Sequence, residues 1–319
     1  PATPTPDFKG CTMNRRDFLM SASASVAVSS FPLGWTAAGS GRRPRLMFFT
    51  RSQGFQHDVV NRALGGKDGR LGTPGELSHA EAVVQKLGAD HGFDVDCTKD
   101  GRVFIPEEIA KYDAFFFYTT LDLTAEKATD GSPPMPKEGK KLLLDAIAGG
   151  KGFIGAHCAS DTFHSPRYMN FVDNPPGERD PYINMLGGEF VTHGAQQKAK
   201  MVVTSEAFYQ PRLADFELNE EWYSLKNFAD DLHVILAQDS TGMKGPMYQR
   251  PLFPATWARR HGSGRVFYTS MGHREDVWTN ALFQRILLGG LAWSFGQTQW
   301  DVSPNIDVIT PHARQLPKQ

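Results

Sequence analysis

Four of the ten histidines stand in short glycine-flanked or turn-like settings directly after apolar runs. His57 lies in Gly54-Phe55-Gln56-His57-Asp58, and His157 in Gly155-Ala156-His157-Cys158-Ala159-Ser160-Asp161. His193 closes Gly187-Gly188-Glu189-Phe190-Val191-Thr192-His193, and His273 falls in Ser270-Met271-Gly272-His273-Arg274-Glu275-Asp276. Imidazole with carboxylate neighbours suits two chemistries. Neutral imidazole and carboxylate oxygens bind Zn²⁺, Mn²⁺ or Fe²⁺, and three protein ligands leave a position open for water or a substrate oxygen. Without a metal the same groups act as general acid and base, because imidazole titrates near neutrality. No His-x-His or His-x-x-x-His pair occurs, so a divalent cation would draw its ligands from distant loops. The candidate ligands are His57, His157, His193 and His273. The candidate catalytic residues are His157, His273 and Asp161, with Asp161 orienting the imidazoles. Candidate substrate contacts are His57, Asp58, Trp222, Tyr223 and Glu275. Asp58 would serve equally well as a helix N-cap. Trp222 and Tyr223 could stack on a pyranose face, although such residues at a strand edge are more often half-buried core.

These side chains need elements to gather them. Arg45 to Thr50, Phe93 to Thr98, Tyr112 to Thr119 and Gly152 to Gly155 read as buried strands; Glu76 to His91 and Lys137 to Ala148 read as helices. Continuous apolar strands separated by helices of this length imply right-handed crossovers in an open parallel α/β sheet with helices on both faces. Ligands of such sheets bind outside the carboxyl ends of the strands, which puts at least His57, His157 and His273 on one rim. A lone loop histidine is ordinarily solvated or hydrogen-bonded; three at one edge point to a site. The second half is less regular. Ala199 to Thr204, His233 to Ala237, Ala255 to Arg259 and Arg265 to Ser270 read as extra strands, Val277 to Phe295 as one long closing helix, and residues 297–319 as an extended C-terminal tail. Trp257 and Trp293 belong to apolar periodic stretches and read as core; Trp278 reads either way.

Gly155-Ala156-His157-Cys158 resembles the nucleophile elbow, a tight strand-to-helix turn that presents a reactive side chain above a sheet. In class I glutamine amidotransferases the elbow is Gly-x-Cys-x-Gly; here His157 holds the third position and the cysteine comes one residue late. Cys158 therefore reads as a packed thiol. His273-Arg274-Glu275 has the spacing of a glutaminase His-x-Glu pair, but without a cysteine in register thioester chemistry cannot run. Cys11, Cys97 and Cys158 make neither a disulfide scaffold nor a Cys-x-x-Cys site.

Across 319 residues, 34 Lys+Arg against 35 Asp+Glu give a net charge of −1, so no basic field draws in nucleic acid. Asn14-Arg15-Arg16-Asp17-Phe18-Leu19-Met20 followed by an apolar, Ser/Ala-rich run to Leu33 reads as a twin-arginine export signal, with cleavage expected near Ala38. That run is too short and too serine-rich for a spanning helix, so stable membrane insertion is not expected. Residues 1–12, ahead of Met13, read as upstream sequence. The expected organisation is 1–39 as upstream segment and signal, 40–296 as one α/β domain and 297–319 as tail, with a periplasmic or secreted product.

The segments Gly54 to Asp58 (GFQHD), Gly149 to Phe163 (GGKGFIGAHCASDTF), Leu186 to His193 (LGGEFVTH), Glu220 to Leu225 (EEWYSL) and Pro254 to Gly296 resemble the ThuA-like, or trehalose-utilisation, family over almost all of 45–296. The resemblance implies a flavodoxin-like, class I glutamine amidotransferase-like sheet that has lost its nucleophile, and a role in carbohydrate metabolism beside sugar oxidoreductases. Carried over by position, its recurrent polar residues are His57, Asp58, His157, Asp161, His193 and His273, while Gln56 stands where many relatives have arginine. The expected activity is that of a lyase, isomerase or hydrolase on a small-molecule carbohydrate, a sugar or 3-keto sugar. The rival class is a non-catalytic sugar-binding or regulatory module.

Overall fold

The computed structural model describes residues 41–205 and 212–318; the twin-arginine segment and the apolar run behind it lie outside them. β1 (Arg45–Phe49), β2 (Asp94–Thr98), β3 (Ala114–Phe117) and β4 (Gly152–Ala156) pair in parallel in the order β2-β1-β3-β4. β11 (Gly264–Thr269) follows beside β4, also parallel. An order of 2-1-3-4 completed by a fifth parallel strand is that of the flavodoxin-type doubly wound sheet. Successive residues of a strand face opposite sides, and β1 and β3 show the consequence. Phe48 stacks on Phe116 at 4.5 Å between ring centroids, and both meet Trp278 at one face. Phe49 and Phe117 lean the other way, onto Phe104 and Tyr182. Two sided burial is why these strands read as unbroken apolar runs.

The helices are α1 (His79–His91), α2 (Pro106–Ile109), α3 (Gly139–Ala148), α4 (Pro181–Leu186), α5 (Glu275–Trp278), α6 (Ala281–Ser294) and α7 (Ile306–Ile309). α1 starts three residues later than the apolar period suggests, because Ser78 and Glu81 form a reciprocal capping box. The expected single helix from Val277 to Phe295 is two: the Asn280 side chain accepts from the Leu282 N–H and starts α6 anew after α5. A capping residue inside an apolar period outweighs the period.

Beyond β11 the same sheet turns antiparallel through β10 (Phe253–His261), β9 (His233–Asp239), β6 (Gln197–Val203) and β7 (Phe216–Glu220). β5 (Glu189–His193) pairs with β8 (Tyr223–Lys226) as a separate two-stranded ribbon. The extra strands expected in the second half are thus present, joined by β5, β7 and β8, whose short polar runs hide their period. Residues 297–318 are more than an extended tail. They carry α7, bury Ile306 and Ala313, and are held by the Arg250 guanidinium, which donates to the Ala313 carbonyl. Among the described residues no helix is long and apolar enough to cross a membrane.

Candidate functional site

Three imidazoles meet at the carboxyl rim of the parallel strands. His57 follows β1, His157 begins the turn after β4, and His273 follows β11. Their ring centroids are 5.0 Å (57 to 157), 5.1 Å (57 to 273) and 5.3 Å (157 to 273) apart. His157 has φ +45°, in the left-handed region that residues with a Cβ seldom adopt. Strain of this kind persists where the surroundings enforce it and is common at functional sites. Here the turn has the elbow's shape, with an imidazole where the elbow carries its nucleophile. Gly155 makes it possible: a Cβ there would come within 3.0 Å of the Ala159 Cβ and 3.1 Å of the Tyr268 ring. Cys158 is buried, and burial pushes its thiol pKa well up, as a packed thiol requires.

The fourth member, Glu221, was not among the residues the sequence singled out. It sits in the junction between β7 and β8, its Oε2 3.0 Å from His273 Nδ1 and 3.5 Å from His157 Nε2, and its Oε1 3.2 Å from His193 Nδ1. One ligand atom from each of His57, His157, Glu221 and His273 lies within 4.8 Å of the others. His193 joins only through Glu221 and is 42% exposed at its side chain, at the edge of the group. Adjacent Glu220 turns the opposite way and is fully buried. It accepts N–H bonds from Gly272, His273 and Glu221 and so fixes the His273 loop to the β7–β8 junction. The Gly272 carbonyl accepts from the Tyr118 hydroxyl and the Trp278 indole N–H. With φ at +122°, this position calls for glycine.

Electrostatics sort the four. Burial drives the His57 pKa well below its ordinary value, and the neighbouring imidazoles add to this, so His57 is neutral at physiological pH. Burial works against the Glu221 charge, but His157 and His273 hold its carboxyl well below the usual range. Burial also opposes charging of His273, and the adjacent Glu221 carboxylate outweighs it and raises that pKa. His157 Nδ1 bonds the Ser270 carbonyl at 3.0 Å, which assigns the proton to Nδ1 and turns the Nε2 lone pair to the cluster. Buried His57 Nδ1, His157 Nε2 and His273 Nδ1 make no aligned hydrogen bond. Buried polar nitrogens are normally satisfied; three orphans converging beside a carboxylate fit a cation. The set is somewhat open for one: roughly 3.4 Å separates the ligand atoms of a tetrahedral zinc shell with bonds of about 2.1 Å, so the side chains would close in by up to about 1 Å.

His57 and Glu221 of the cluster line a cavity of about 490 Å³ together with His193, Tyr223, Asp161, Tyr168, Phe190 and Phe55 among others, while His157 is fully buried. Tyr223 belongs to it, its ring 4.0 Å from that of His157. Four of the expected residues stand apart from the cluster. Asp161 lines the cavity but pairs with His164 and Tyr168, and orients none of the clustered imidazoles. Trp222 is completely buried, its indole N–H on the Gln197 carbonyl, so no sugar can stack on it. Asp58 and Glu275 both bond Arg70 and, with His273, border a separate hollow of about 300 Å³. Asp58 opens a short 3-10 helix without capping it. Trp257, Trp293 and Trp278 are all core.

A doubly wound α/β sheet with an antiparallel extension, bearing a histidine–glutamate centre at its carboxyl rim, is the class of protein these features define. The chain belongs to the trehalose utilisation (ThuA) family, whose sequence model matches residues 72–294. A ThuA-like protein from Bacteroides uniformis superposes with a TM-score of 0.56 at 19% identity, covering 83% of this chain and 95% of its own. Another from Parabacteroides merdae gives 0.54 at 14% identity, covering 82% and 93%. At these identities the likeness is one of fold. A search of curated proteins gave no significant match.

Proposed function

We propose that this chain is an enzyme of carbohydrate metabolism, exported by the twin-arginine route to the periplasm or beyond, that acts on a sugar or 3-keto-sugar derivative. His57, His157, Glu221 and His273 would hold a divalent cation, Zn²⁺, Mn²⁺ or Fe²⁺, with His193 at the edge. The single observation that carries the reading is the convergence of three buried imidazole nitrogens with a carboxylate beside a cavity that His57 and Glu221 line. Such a cation, when bound, supplies a Lewis acid for a carbonyl or hydroxyl oxygen. The chain's own residues do the rest. The Ser270 carbonyl fixes the His157 tautomer, Glu220 and Tyr118 hold the His273 loop, and Tyr223 walls the cavity against water. The sugar assignment rests on the family's name and on a lining that combines aromatic rings with two carboxylates, which suits a ring with apolar faces and a hydroxyl rim.

The test is elemental analysis of chelator-free protein, followed by turnover of 3-keto glycosides by wild type and H157A. About one equivalent of metal and activity lost in a folded H157A support the reading. Wild-type sugar affinity retained in a His57/His157/His273 triple alanine variant would instead make the chain a non-catalytic binding module.

A further inference from the structure

A second chain of titratable groups opens on the same cavity from its other wall. Asp161 ends the turn after β4, His164 follows it, and Glu189 begins β5. His164 Nε2 is 2.9 Å from Asp161 Oδ1, and His164 Nδ1 is 3.2 Å from Glu189 Oε1. Glu189 is fully buried and also accepts from the Ser165 N–H and the Asn227 amide. The Tyr168 hydroxyl donates to Asp161 Oδ1 at 2.9 Å, while its ring stacks on His164 with centroids 3.5 Å apart. Only Asp161 and Tyr168 of this group reach the cavity. Both side-chain contacts of Asp161 fall on Oδ1, so its second oxygen is the one a ligand would meet.

Pinning the 161–173 loop would need less than this. An ion triad out of water is a costly way to fasten a loop, and here its one accessible end faces the imidazole cluster. The charges around it are accounted for. Lys226 and Arg179 bear on Glu189, and Asp173 on Lys226. Burial opposes charging of His164, but the two carboxylates outweigh it and raise its pKa, while His164 and the N–H donors keep Glu189 ionised.

We propose that Asp161, held by the charged His164 and by Glu189 behind it, is the acid–base group that meets a carbonyl-bearing sugar in the cavity that His57 and Glu221 also line. This rests on the sugar reading above. Asp161 takes the proton from the carbon beside the ligand's carbonyl. The C–H bond breaks and an O–H bond forms on Asp161. The electron pair moves into a C=C bond, leaving the charge on the former carbonyl oxygen. Return of the proton, or of a solvent deuteron, restores the ketone, and no oxidant or reductant is consumed. His164 and Glu189 are positioning residues that hold the Asp161 carboxylate in place.

The experiment follows deuterium exchange into methyl 3-keto-glucopyranoside in D₂O by the metal-loaded full chain, alongside ¹⁵N imidazole titration of His164. In D161N, exchange should fall about a hundredfold or more with metal content retained, and D161E should restore part of it. In E189Q the alkaline limb of the pH profile should move to lower pH, because one of the two carboxylates that keep His164 charged is gone. The His164 titration should move the same way in D161N and E189Q. A wild-type exchange rate in D161N, an E189Q profile superimposed on wild type, or a His164 that titrates as an ordinary histidine would overturn the assignment. If wild type exchanges nothing, the sugar reading falls and takes the acid–base role of Asp161 with it, while a raised His164 titration leaves only the ion triad standing.

Discussion

Adding a divalent cation should stabilise the native chain, and replacing Glu221 by glutamine should remove most of the gain. A ligand that binds only the folded state stabilises it by RT ln(1 + [L]/Kd), about 2.7 kcal/mol at a hundredfold excess over Kd. For a domain of this size each kcal/mol is worth about 2–4 °C in Tm, so the melting temperature should rise by about 5–10 °C. Glu221 is the only anion in the cluster and touches two of its imidazoles. Changes even to residues that only hydrogen-bond a metal's ligands cost about 10–100-fold in metal affinity. A hundredfold loss in E221Q would bring [L]/Kd to about one, leaving about 0.4 kcal/mol and a rise of about 1–2 °C. The assay is differential scanning fluorimetry of chelator-treated protein with and without Zn²⁺, Mn²⁺ or Fe²⁺, each variant compared with its own apo form. E275Q is the control: Glu275 pairs with Arg70 and lies outside the cluster, so its rise should match wild type. The reasoning fails if no cation raises the wild-type Tm, or if E221Q retains the full rise.

Three further outcomes follow from the fold. G155A should destabilise the chain by about 1–3 kcal/mol, since its methyl would press on Ala159, Tyr268 and Leu186 in a packed turn; denaturant melts check it. Cys158 should stay unlabelled by a thiol reagent in native protein at pH 8 and react only after denaturation, so native labelling faster than unfolding would contradict its burial. Glu81, fully buried at its carboxylate against Arg62, has its pKa lowered because the Arg62 bonds outweigh burial. Its contribution is therefore present above the ordinary carboxylate range and lost as pH falls through the depressed native value. E81Q should cost roughly 3–5 kcal/mol at pH 7, a gap that narrows in acid; a pH-independent difference in urea melts would refute the linkage.

Much of the parallel half was legible because burial on both faces writes itself as continuous apolar sequence: the strands ending near Phe49, Phe117 and Ala156 stand within a few residues of the expected positions. Once those strands run parallel, their carboxyl ends must share a rim, and the meeting of His57, His157 and His273 follows from topology alone. Glu221 follows from no such rule. Its strand reads Phe216-Glu217-Leu218-Asn219-Glu220, too short and polar to show a period, and it arrives at the rim through antiparallel pairing with β6. The available signal was Glu220-Glu221-Trp222-Tyr223 itself. On extended backbone adjacent residues face opposite ways, so two glutamates before a buried tryptophan commit one carboxylate to the interior and one to the other side. His164 was equally silent, since its meaning depends on Glu189, 25 residues away.

The antiparallel extension is therefore part of the site and not an ornament on the sheet. The parallel half by itself would gather three imidazoles, all neutral when they bind, around a cation whose two charges nothing offsets in a largely buried space. Glu221 brings the compensating charge, and it comes from the strands added beyond β11. Glu220, one residue earlier, binds the backbone of the very loop that carries His273. One glutamate thus fastens the two halves together while its neighbour completes the cluster. A shift of the β7–β8 junction by a single residue would put Asn219 or Trp222 in one of the two places, leaving either the loop unheld or the imidazoles without their carboxylate. The register of that junction, more than any one histidine, decides whether the rim is a centre for chemistry or a crowd of bases.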